Sequence, residues 1–118
     1  MSHSVLLQLA RDSIQEVFQA KSTIDRNHIL QEHPLLHEKI TVTINLYQNE
    51  ELRGSYKNKN SNNSLLSNII IGAKKAAFED EETPVLTTSQ YLHCEVEILL
   101  FTENGTLQER DSAILSNN

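Results

Sequence analysis

Arg53-Gly54-Ser55-Tyr56-Lys57 carries a guanidinium, a hydroxyl and an ammonium on alternate residues, so an extended backbone projects all three from one side. The run before it, residues 40 to 46, supplies Thr41, Thr43 and Asn45 in the same alternation. Paired as a hairpin, these side chains make a hydrogen-bonding platform suited to a phosphate or a carboxylate, with Arg53 offering a two-pronged fork. Gly54 would let a ligand approach the backbone. The competing reading is a solvated sheet face in which Arg53 pairs with Glu95 or Glu97. Ser55 as a nucleophile would need a neighbouring base and an oxyanion hole, and no Gly-x-Ser-x-Gly elbow surrounds it.

Other chemistry-bearing residues are weaker candidates. His28, His33 and His37 are spaced five and four apart across Pro34, which does not match a metal-ligand motif; His3 and His93 stand alone, and no metal is expected. Cys94 alternates with Val96 and Ile98 and reads as a buried, inert thiol. Arg53, Lys57, Lys59, Lys74 and Lys75 have no aromatic residues interleaved for base stacking, so nucleic acid is not an expected partner.

The elements that position these residues follow from periodicity. Leu6, Leu9, Ala10, Ile14 and Val17 recur at helical spacing and predict an amphipathic helix over residues 4 to 20. Asp25 is placed to cap a short second helix that Pro34 stops near His33. Strict alternation predicts a strand over residues 40 to 46 and a return strand over 52 to 57. A one-residue slip would set Arg53 opposite Leu46, so only even-sum pairings keep the faces separate. The tightest of these pairs Leu46 with Leu52 and Val42 with Tyr56, leaving Asn45 beside Arg53, Thr43 beside Ser55 and Thr41 beside Lys57. A polar Asn/Ser loop then caps a helix over residues 65 to 78, whose stripe runs from Leu65, Ile69 and Ile70 to Ala73, Ala76 and Ala77. The acidic run 79 to 82 and Pro84 end it.

Cys94, Val96, Ile98 and Leu100 share one face of a third, central strand, with Glu95, Glu97, Leu99 and Phe101 on the other. Cover for Leu99 and Phe101 would come from the first helix or the loop 25 to 36; without it, that face invites a partner or a second copy. Asn104-Gly105 is a hairpin turn into a short edge strand, and residues 111 to 118 are expected to fray.

At 118 residues, 38% of them hydrophobic, the chain supports a single core, so one domain over residues 1–118 is expected. No apolar run approaches the roughly 18 residues of a membrane span, and the start lacks a signal-peptide pattern, so a soluble cytoplasmic protein is expected. Sixteen acidic against ten basic residues argue against bulk phosphate binding, and one cysteine cannot form an internal disulfide.

Residues 40 to 44, Leu52-Arg53-Gly54, the helix end Ala76-Ala77-Phe78-Glu79-Asp80 and Val96-Glu97-Ile98 resemble, in that order, segments of the AMMECR-type domain family, as does the opening Leu6-Leu7-Gln8-Leu9-Ala10-Arg11. The resemblance spans about residues 5 to 103. The family signature reads Leu-Arg-Gly-Cys-Ile-Gly; here its cysteine is Ser55, its isoleucine Tyr56 and its last glycine Lys57, so thiol chemistry is not implied. Family members continue through a further portion that this chain would lack after about Asn104. Bacterial and archaeal members of that family are often named as component A of a system containing a Memo-like protein and a radical SAM protein, so the resemblance implies that neighbourhood and no mechanism.

The expected architecture is α+β, an antiparallel sheet with a hairpin and a central strand packed by two or three helices. The expected function is a binding or accessory module that engages a protein partner or a small anionic ligand through Arg53, Gly54, Ser55, Lys57, Thr43, Asn45 and Glu97. No cofactor is expected. The alternatives are an enzyme using Ser55 or Glu97 on the same face, and a degenerate paralogue that acts by forming a homodimer.

Overall fold

A computed structural model describes residues 4–59 and 61–115, so His3 and the last three residues of the tail lie outside the description. Helix α1, Val5–Gln19, begins where Ser4 Oγ accepts from the Leu7 amide at 3.1 Å. It buries Leu6, Leu9, Ala10 and Ile14 and ends as Ala20 turns left-handed at φ 51°. Helix α2, Arg26–Glu32, is capped by Asp25, as its sequence predicts. Pro34 then opens a 3-10 turn, Pro34–His37, which buries Leu36; periodicity gave no sign of so short a turn.

Strands β1, Thr41–Gln48, and β2, Glu51–Asn58, form the expected hairpin in a different register. Asn49 and Glu50 both adopt left-handed φ, 54° and 68°, and close a two-residue turn whose twist matches the strands. Gln48 faces Glu51 and Tyr47 faces Leu52, but beyond that Leu46 faces Gly54, Asn45 faces Ser55 and Thr43 faces Lys57. Arg53 is the extra residue of a β-bulge and has no partner on β1. The pairing keeps its even sum past the bulge, yet it is shifted by two from the tightest alignment.

Helix α3, Leu65–Phe78, is capped by Ser64 and buries Leu65, Ile69, Ile70, Ala73, Ala76 and Ala77, the whole predicted stripe. It lies on β1 and β2, with α1 beside it and over β3. A short helix α4, Thr88–Leu92, escaped the periodicity argument because five residues show none; its signal is the capping box of Thr87 and Gln90. Tyr91 on α4 packs against Phe18 of α1, which meets Phe78 of α3 edge-on at 5.3 Å.

Strands β3, Cys94–Thr102, and β4, Gly105–Arg110, complete an antiparallel sheet of order β2-β1-β3-β4. The turn between them is Glu103-Asn104, and Gly105 at φ 124° opens β4. Cys94 is buried, and burial pushes its thiol up, against the pull of Arg53 and Arg11. The expected fraying is corrected for residues 111 to 115. Asp111 holds Arg11 through two bonds of 2.8 and 2.9 Å and accepts from the Val96 amide, and the Leu115 amide donates to Leu92. No helix among the described residues is long and apolar enough to cross a membrane.

Candidate functional site

The even-numbered side chains of β1 and β3, with Gly54, Tyr56 and Asn58 of β2, face the helices; the odd-numbered ones face the other way, where no helix packs among the described residues. Neither the first helix nor the loop 25 to 36 covers Leu99 and Phe101, and Phe101 is 43% exposed. On this open face Ser55, Asn45 and Glu97 stand in register, and Gln108, the β4 partner of Leu99, reaches diagonally to extend them into one hydrogen-bonded row across the sheet. Ser55 Oγ on β2 donates to Asn45 Oδ1 on β1 at 2.6 Å, and Asn45 Nδ2 donates to Glu97 Oε1 on β3 at 2.9 Å. Gln108 Nε2 on β4 donates to the other carboxylate oxygen, and Tyr47 adds its hydroxyl at 3.2 Å.

Glu97 is 6% exposed although no helix among the described residues covers it, because its neighbours on the sheet do. That burial would raise its pKa, but the donors Asn45, Gln108 and Tyr47, with the charge of Arg110, outweigh it and hold the carboxyl below its ordinary range. The Tyr47 hydroxyl is pushed the other way, by burial and by the carboxylate it serves. Arg110 lies over the Tyr47 ring at 4.2 Å and bonds Glu95 at 2.7 Å, closing the β4 side of the row.

Five of the seven candidate residues, Thr43, Asn45, Ser55, Lys57 and Glu97, therefore meet on one face. Arg53 and Gly54 do not join them. The bulge turns Arg53 towards α4, where Nη2 donates to Gln90 Oε1 at 2.9 Å, so it pairs with neither Glu95 nor Glu97. Gly54 is buried under α3, and a Cβ there would lie 2.2 Å from the Ala76 carbonyl oxygen, so the glycine admits a helix where a ligand was expected. Asp80, just past α3, accepts from the Ser55 amide at 2.9 Å and satisfies the outer edge of β2. Sequence reasoning missed Tyr47, Gln108 and Arg110. Tyr47 shares the parity of Asn45 and was within reach; Gln108 needed the correct β3–β4 turn.

The Ser55 hydroxyl donates to an amide oxygen, which takes no proton at neutral pH, and among the described residues no base bonds to it. His28 pairs with Glu32 along α2, and His93 Nδ1 lies 3.1 Å from the Leu115 carbonyl oxygen. Among the described residues no three His, Cys, Asp or Glu side chains gather where they would hold a metal ion.

Helices on one side of a four-stranded antiparallel sheet, with the other side open, define a two-layer α+β domain. The AMMECR1 family model matches residues 7–116, and the chain belongs to that family. Its fold is similar to the crystal structure of an uncharacterized protein from Pyrococcus horikoshii, with a TM-score of 0.73 and 24% sequence identity over 82% of this chain and 49% of that one. The chain thus spans about half the length of that structure. No curated protein matches it.

Proposed function

We propose that the chain is a binding module whose open sheet face engages a protein partner. The observation that carries this reading is the row Ser55–Asn45–Glu97–Gln108, bonded across all four strands on a face without a helix. Its polar groups are already satisfied, so a partner meets a fixed surface flanked by Phe101, Leu99 and Tyr47 and loses little side-chain entropy in binding. A small anion at the centre of the face is disfavoured, since Glu97 is charged there and Arg53 is engaged with Gln90. In this reading residues 1–118 form one domain, and its open face is where the partner packs.

Native mass spectrometry of protein purified gently from its own cells tests the reading. Phe101 and Val17 are each 43% exposed, one on the open face and one on α1. An associated polypeptide kept by Val17→Asp and lost by Phe101→Asp supports the open face. Retention by Phe101→Asp and loss by Val17→Asp moves the interface to the helical side and sinks the proposal. An associated mass equal to this chain would name a second copy as the partner.

A further inference from the structure

One end of the open face differs from its centre. Thr41 faces Phe101 and Thr43 faces Lys57 in the strand registers, and Lys59 follows Lys57 two residues on. Together they line a cavity of about 180 Å³. That volume is below the range of whole cofactor sites, about 300 Å³ upward, and suits one functional group with a small apolar body.

The charges there are unbalanced. Although acidic residues outnumber basic ones 16 to 10, neither Lys57 nor Lys59 has a carboxylate in bonding range among the described residues. By contrast Lys74 reaches Glu16 at 2.8 Å and Arg110 reaches Glu95 at 2.7 Å. Beside Lys57 sits Thr43, 3% exposed, whose hydroxyl has no hydrogen-bond partner among the described residues. A buried orphan hydroxyl is costly, and a native structure carries few of them. Lys57 is exposed and long enough to swing aside and admit an acceptor to it. Phe101, 43% exposed, lines the same cavity as the two lysines and gives it an apolar wall.

We infer that the pocket formed by Thr43, Lys57, Lys59 and Phe101 binds a carboxylate or phosphate joined to an apolar group. This deepens the open-face reading and rests on it, the anion being the partner's anchoring group. The two ammoniums attract it, the Thr43 hydroxyl donates to it, and Phe101 carries its apolar part.

Phenylacetate, phenyl phosphate and the neutral phenylacetamide serve as probes, followed by amide NMR shifts of the whole chain at low salt. Saturable shifts at Thr43 and Lys57 with an anionic probe are expected, weaker by at least about tenfold with the amide and reduced as salt rises. Whichever anion binds more tightly identifies the group. The double variant Lys57→Gln/Lys59→Gln should lose this binding, while Lys21→Gln/Lys39→Gln keeps it. Thr43→Val should weaken binding and leave the melting temperature unchanged or raised, because it removes an unsatisfied hydroxyl from the free protein. No saturation at millimolar concentration, equal binding of the amide, or binding that survives the Lys57/Lys59 double variant overturns the pocket. If the pocket fails while Phe101→Asp still strips a copurifying polypeptide, the open-face reading survives alone. If an anion binds but no polypeptide depends on Phe101, the partner reading falls and the pocket stands as a small-molecule site.

Discussion

Glu97 keeps its charge inside a set of donors, and the direction of its shift makes a statement about pH. Its folded pKa lies below the ordinary 4.5, so the stabilisation it supplies is complete above the unfolded value and disappears as pH falls through the folded one. Glu16 is shifted the same way, its burial outweighed by Lys74 and by the Thr23 and Ile24 amides. Urea denaturation on either side of pH 4.5 should therefore show stability lost on the acid side, and Glu97→Gln should flatten that loss. At neutral pH the substitution should cost about 1–3 kcal/mol, since it sets an amide against donors that expect an acceptor. Alternation in the sequence was enough to put Asn45, Ser55 and Glu97 on one face. It could not show that they bond to one another, because that depends on which strand lies beside which.

At the scale of the element, one extra residue in β2 changes what the hairpin presents. The bulge leaves Arg53 unpaired, sends it to Gln90, and aligns Gly54 with Leu46 under α3. Gly54→Ala should be the most damaging small substitution in the sheet, because its Cβ meets backbone at 2.2 Å and the helix must move. A loss of about 3 kcal/mol or more is expected on denaturation. Gly72→Ala meets side chains alone, the nearest Ile44 Cγ1 at 3.0 Å, and should cost distinctly less. Glu50→Gly should stabilise by about 0.5–1 kcal/mol, by relieving a left-handed φ of 68° that favours glycine. Helices α1 and α3 were legible because long amphipathic periods and Ser caps agree. The bulge was not, because hydrophobic alternation constrains the parity of a pairing and leaves its offset to the turn.

The whole molecule is fastened at a point that no local pattern reveals. Arg11 and Asp111 are 2% and 3% exposed and lie 100 residues apart in sequence, with Arg11 also donating to the Cys94 carbonyl. Asp111→Asn should cost about 3–5 kcal/mol by stranding a buried guanidinium, and a melting curve checks it. Sequence reading assigned this stretch to a loose tail because a lone aspartate after a strand has no periodic signature. The α+β class was readable, since it needs only the order and type of elements; the openness of one sheet face was not, since it depends on where the helices go. The same long-range pair orders events during synthesis. Helix α1 leaves the ribosome well before its charge partner exists as peptide, and β1 must wait for β3. Until residue 111 emerges, the nascent chain holds a helix with a buried-type arginine and an unfinished sheet, a state in which chaperone contact is most needed.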